Sequence, residues 1–302
     1  MLKITADIYS GRPNPVAEVT DEREATALLR ELGQLRADVA AAADGGLGLR
    51  GFRVEALGDD VPTAAPGAGA LYLPASALGA AGPGGEVAER MLSLMQSGQA
   101  PADAPEGATV DTALRDFLLG QLASGGVESV GDQAAAPPVE EAGPADVTCN
   151  IELGAFNPGF WNDDTRVRED NNCYNYASNW RTNTFAQPGL GCGNMYTAIT
   201  CAEVTRAALC DGMHRRFDCF PDTERPRYLV ALVVAPGPGF VDYHWFRKQS
   251  GNFWGHKPGG TAARNTDNSG VLITNPETAN RGPYTLFCGY FYGCDSQRRR
   301  IR

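Results

Sequence analysis

Cysteine and histidine supply a nucleophile and a general base without help from a cofactor, and this chain places its candidates close together. All eight cysteines fall between 149 and 294, and the three histidines are His214, His244 and His256. Cys173 stands where the segment NNCYNYASNWRTN opens a short helix, with Asn171 and Asn172 suited to cap it and Asp170 suited to its N-terminus. Free backbone N–H groups and the helix dipole at such a point favour a thiolate. His244 lies in DYHWFRKQ and His256 in NFWGHK, separated by Gln249-Ser250-Gly251-Asn252. That spacing predicts a hairpin with the two rings side by side. The chemistry implied is attack of Cys173 on an amide carbonyl, with His244 as the base and His256 orienting it. Backbone N–H groups near Cys173 would receive the oxyanion. Tyr174, Trp180 and Trp245 are the aromatic candidates to line a groove for a peptide or sugar substrate. No cofactor is expected.

Each candidate also has a plain structural reading. Full pairing of eight cysteines would consume Cys173; if Cys173 is free, at least one other cysteine must be free too. His244, between Tyr243 and Trp245, also reads as a core imidazole, and His256, ahead of Lys257-Pro258-Gly259-Gly260, as a turn-adjacent surface residue. His214 is followed by Arg215 and Arg216 and reads as solvated. Cys192, Cys201, Cys210 and Cys219 recur every nine residues without the close pair of a zinc site, so disulfides are expected and no metal is. Asn265, Asp267, Ser269 and Gly270 resemble the opening of a calcium loop. The position that needs glutamate is Pro276, however, which favours an Asx-rich turn. Asp267 has a further reading as a carboxylate supporting the histidines.

These residues must be positioned by an α+β fold in two domains. In the first, at 1–127, LKITADIY, FRVEAL and ALYLPAS read as strands. TDEREATALLRELGQLRADVA reads as a helix with Ala25, Leu28, Leu29, Leu32 and Leu35 on one stripe, and VAERMLSLMQSG and VDTALRDFLLGQLAS as two more. This domain has neither His nor Cys and no evident site. Residues 128–147 are rich in Gly, Ala, Pro and Glu without periodicity and predict a flexible linker. The module at 148–302 reads as loops through WNDDTRVREDNN and 190–220, the Cys173 helix, a buried strand RYLVALVVAP, the histidine hairpin and a last strand YTLFCGYFYG.

Charge divides along the same lines. The net −10 is made of −9 over 1–128, −4 over 129–148 and +3 over 149–302. Opposite signs suggest a contact between the acidic domain and the basic module. The short run Arg298-Arg299-Arg300-Ile301-Arg302 is too little for a nucleic-acid surface, and no apolar run is long enough to cross a membrane. The start MLKITADIYSGRPNP lacks the apolar core of a signal peptide, whereas the cysteine density suggests an oxidising, extracellular destination. Residence in the cytoplasm and export without a Sec signal both remain open.

The order of a cysteine at a helix start followed by a sheet hairpin bearing two histidines resembles the papain-like fold, and most of all the NlpC-type amidohydrolases. That likeness implies Cys173, His244 and His256 as the catalytic set of an amidase or peptidase. It departs from the family in having Asn172-Cys173-Tyr174 around the nucleophile and bulky Trp245 after the histidine. A second likeness rests on NNCYNYASNWRTNTFAQPG, DYHWFRKQSGNFWGHKPGG, DNSGVLITNPETANRGPY and LFCGYFYGC. These segments resemble a group of secreted or exported proteins that includes an insoluble matrix protein of mollusc shell. This likeness implies a non-catalytic, disulfide-stabilised module that binds glycan, matrix or protein. A deamidase-type effector with the same three residues is the third reading.

Overall fold

The structure, a computed structural model, describes residues 1–35, 46–57, 70–79, 82–102, 104, 108–124 and 149–302. The linker expected at 128–147 lies outside the described residues. Two compact units divide the rest. The first takes 1–8, the described part of 13–124, and 238–240; the second takes 9–12 and the remainder of 149–302. Helices and antiparallel strands occur in both, so the α+β class holds.

In the first unit β1 (Leu2–Asp7) runs antiparallel to both β2 (Val16–Val19) and β3 (Gly51–Ala56), and β4 (Ala70–Pro74) pairs with β3. Strand alternation buries Leu2, Ile4 and Ala6 on one face. Helix α1 (Glu22–Leu35) is capped by Asp21, whose carboxylate accepts from the Arg23 and Glu24 amides, and it buries Ala25, Leu28 and Leu32. Helix α2 (Pro83–Ser97) begins with a proline in its first turn and buries Val87, Met91 and Met95; α3 (Thr112–Ala123) buries Leu114, Leu118 and Leu122. The strands and helices read from the sequence are present here; α2 begins four residues earlier than the reading, and β2 was not anticipated.

The second unit opens with α4 (Gly159–Asn162), α5 (Thr165–Glu169), α6 (Cys173–Ser178) and α7 (Cys201–Cys210). There follow β5 (His214–Arg215), β6 (Tyr228–Pro236), β7 (Val241–Lys248), β8 (Trp254–His256), β9 (Leu286–Gly293) and α8 (Asp295–Arg300). The sheet order is β5-β9-β6-β7-β8, antiparallel throughout. β6 lies centrally, which explains its unbroken run of buried Val230 to Ala235. Against it pack Ala177 of α6, Val204 and Ala208 of α7, and Tyr243 and Trp245 of β7. Disulfides join Cys149 to Cys219, Cys192 to Cys210, and Cys201 to Cys288. The nine-residue repeat of cysteines thus serves cross-links.

Two stretches expected as loops are partly helical. Asp164 caps α5 through the Val167 amide, but α4 and α5 bury only Trp161 and Val167, too little to leave an apolar stripe. Thr200 caps α7 through Glu203, and the helix buries Val204, Thr205, Ala207 and Ala208 between its two terminal cysteines. No helix among the described residues is long and apolar enough to cross a membrane.

Candidate functional site

Cys173 is the first residue of α6, as the capping pattern predicts. Asn172 accepts from the Tyr174 and Asn175 amides, Asn175 returns a bond to the Asn172 amide, and Asn179 ends the helix at φ 51°. The thiol is free but fully buried, and its sulfur lies 3.9 Å from the Tyr243 carbonyl. Burial pushes it well above the ordinary thiol range, and the Asp242 carboxylate pushes in the same direction. Both effects favour the neutral thiol over the thiolate. Cys294 is the other free cysteine, the second that parity requires.

The hairpin brings the two histidines together. Phe246 pairs across with His256, so His244 is its diagonal neighbour, and His244 Nε2 lies 2.8 Å from His256 Nδ1. His256 Nε2 is 3.0 Å from the Thr266 carbonyl, which only accepts. That fixes the proton on His256 Nε2, leaves Nδ1 as acceptor, and makes His244 Nε2 the donor. Both rings are buried, and burial pulls His256 down to about 3. A histidine depressed in the fold stays neutral while the unfolded chain takes up a proton below about 6.5. Stability from this group is therefore complete above about pH 6.5 and drains as pH falls toward about 3, by about 1.4 kcal/mol per unit. Urea unfolding at pH 7 and pH 5 should show this slope, reduced in His256→Gln. Equal slopes in both proteins would remove His256 as its source.

Cys173 shares its core with the two β7 residues that flank His244. Side chains of β7 alternate. Tyr243, Trp245 and Arg247 face α6, where Tyr243 and Trp245 share a core with Cys173 and Arg247 lies over Tyr176. His244 and Phe246 face the other way, toward His256 and Tyr284. The papain-like arrangement, which needs thiol and imidazole on one face, finds no support here. Nor do Tyr174 and Trp245 line a groove. Both are fully buried, with the Tyr174 hydroxyl donating to Asp211 at 2.9 Å and the Trp245 ring packed between Tyr174 and Phe291. Trp180 is at the surface, 42% exposed, under the guanidinium of Arg298. His214 is half-buried and pairs with Asp218 at 2.7 Å. Asp267 accepts from the Ser269, Val271 and Asn280 amides, the geometry of an Asx turn.

Three buried charges around the site escape a reading of sequence. Asp242 accepts from the amides of Ser10, Gly11 and Arg12 and from the Tyr284 hydroxyl. Burial raises its carboxyl above the usual range, and these donors pull it back. Gly11 is required in that turn because a Cβ there would meet the Tyr243 ring at 2.4 Å. Lys257 donates to the carbonyls of Arg168, Asn171 and Gly259, tying the approach to α6 to the end of β8. Arg247 donates to the Tyr176 carbonyl and lies over the Tyr176 ring. The only signal for them is an acidic or basic residue inside an otherwise apolar stretch.

What these features define is a disulfide-stapled α+β module with a buried histidine pair and a buried free thiol. Insoluble matrix shell protein 1 of the mollusc Ruditapes philippinarum is 47% identical to this chain over 135 residues, which are 45% of the chain and 86% of that protein. The chain belongs to the family of that shell matrix protein. No protein-family model matches it, and no solved structure does.

Proposed function

We propose that the cysteine-rich module is a non-catalytic, disulfide-stabilised extracellular unit that packs into or binds an insoluble matrix. The observation that carries this reading is kinship with an insoluble shell matrix protein in a chain cross-linked by three disulfides. Disulfides of this density belong to oxidising compartments. Burial of Cys173 speaks for the same reading against thiol catalysis.

Alkylation by iodoacetamide tests it. The native chain should take up no label, the unfolded unreduced chain two, and the reduced chain eight. The native chain should also sediment with particulate polysaccharide or calcium carbonate. Native labelling of Cys173 that disappears in His244→Ala, with no retention on any particle, would overturn the matrix reading and restore an amide hydrolase or transferase.

A further inference from the structure

The second unit carries a small cavity of about 180 Å³ lined by Gly154, Ala155, Asn157, Phe160, Trp161, Asn179, Tyr228 and Arg247. Its rim residues Gly154, Ala155, Asn157 and Phe160 are exposed, so it opens to solvent, while Trp161 and Arg247 are buried at its base. Nothing in the lining is acidic.

Arg247 is the unusual member. It is 7% exposed, and its guanidinium is held between two rings, 4.4 Å from the centroid of Tyr176 and 5.5 Å from that of Tyr228. One Nη1 bond goes to the Tyr176 carbonyl. With the Gln249 amide turned so that it donates to Gly154 and accepts from Tyr176, its oxygen also takes Arg247 Nε at 3.1 Å. The Tyr176 side chain is a further hydrogen-bond partner of the guanidinium. The charged and polar groups that bear on it are Tyr176, Tyr228 and Arg298, none of them a carboxylate. A buried guanidinium is normally paired. Here its partners are neutral, no carboxylate stands against it, and the guanidinium lines an aromatic-walled cavity.

We propose that this cavity binds an acidic sugar unit of a carboxylated or sulfated glycan, with Arg247 taking the anion through its fork and Phe160 and Tyr228 taking the sugar's C–H faces. The fork geometry suits both anions. The volume lies below the range of about 300–1,000 Å³ that holds a drug-sized ligand, so it admits one unit of a chain rather than a long segment. Asn157 and Asn179 stand in the wall as partners for hydroxyls. Trp180, exposed and adjacent to Asn179, continues the aromatic surface, with Arg298 at 4.7 Å and with Arg181 at 3.3 Å over Phe160. The nearby cations are thus all of the sign that attracts an acidic chain. An acidic peptide presents the same carboxylate but no ring face for the aromatic wall. The choice of a glycan rests on the matrix reading above; the demand for an anion rests on Arg247 alone.

Affinity electrophoresis of the full chain tests the proposal, with polygalacturonate as the uronate arm, dextran sulfate as the sulfate arm, and dextran and poly-glutamate as comparisons. At least one acidic glycan should retard the protein while dextran does not. Phe160→Ala, at an exposed position, should weaken that binding about tenfold, or about 1.4 kcal/mol, with unchanged thermal stability. Arg247→Lys, which keeps the charge and loses the fork, should weaken it further. Binding indifferent to both substitutions, tighter binding of poly-glutamate, or no retardation by either acidic glycan would each overturn the proposal. Sedimentation with particulate matrix and silent native thiols can still hold in that case, so failure of this site is distinguishable from failure of the matrix reading.

Discussion

Asp242→Ala should destabilise the second unit by about 3–5 kcal/mol, the cost of stranding several buried donors around a lost charge. The carboxylate accepts from Ser10 N at 2.5 Å, Arg12 N at 2.9 Å, Gly11 N through both oxygens, and Tyr284 OH at 2.5 Å. All these groups are donors, and none of the backbone amides can rotate away to find water. Asp242→Asn is nearly isosteric, yet it should cost almost as much, because its NH2 would point at N–H or O–H groups on whichever side it sits. Tyr284→Phe removes one donor together with its hydroxyl and leaves the three amides served, so its cost should stay near 1 kcal/mol, the ordinary net worth of about one bond. Urea unfolding followed by the fluorescence of buried Trp161 and Trp245 gives the ranking. An asparagine variant as stable as the parent would mean that the carboxylate does not organise residues 9–12. A drop of this size corresponds to roughly 2–4 °C per kcal/mol in melting temperature for a unit of this length.

The hairpin, its turn and the meeting of His244 with His256 were legible because they depend on spacing along one stretch of chain. The same holds for the start of α6, where Asn172 and Asn175 announce a capping box locally. The face on which each β7 residue lies was not legible. Alternation reveals a face only when one side of a strand is polar, and YHWFR is buried on both sides. Nothing in that run says whether α6 packs on Tyr243 and Trp245 or on His244 and Phe246. Packing places Cys173 in a core with Tyr243 and Trp245, a choice that the run itself does not announce. Helix α7 was hidden for a different reason: four cysteines and several glycines around it mark a cross-linked loop, while its apolar positions are mostly alanine. Asp242, Lys257 and Arg247 each satisfy backbone carbonyls or amides far away in sequence, and such partners leave no local pattern.

The Cys201–Cys288 bridge closes the longest loop of the three, 87 residues, from the start of α7 to the middle of β9. Loop entropy alone assigns a closure of this length about 4–5 kcal/mol, against about 3 kcal/mol for the Cys192–Cys210 loop of 18 residues. Replacing both Cys201 and Cys288 by alanine should therefore lower the melting temperature by roughly 8–20 °C. Alanine is the informative choice, because Cys288 lies in the core with Val204 and Phe291, where a serine hydroxyl would add its own burial cost. The Cys192→Ala, Cys210→Ala pair should fall less, and the order of the two is the point. If the short-loop pair cost more, its contribution would come from holding Gly189 and Cys192 against Asp211 rather than from the unfolded chain. Reduction of the parent should exceed either loss, since it opens all three loops at once, including the 70-residue loop of Cys149 and Cys219. On the matrix reading proposed above, the cross-link that restrains the most chain contributes most, and this one ties α7 to β9, an inner strand of the sheet. A reduced form that melts where the oxidised one does would show that the disulfides do not stabilise the fold, and would take away the main physical support for the proposed matrix role.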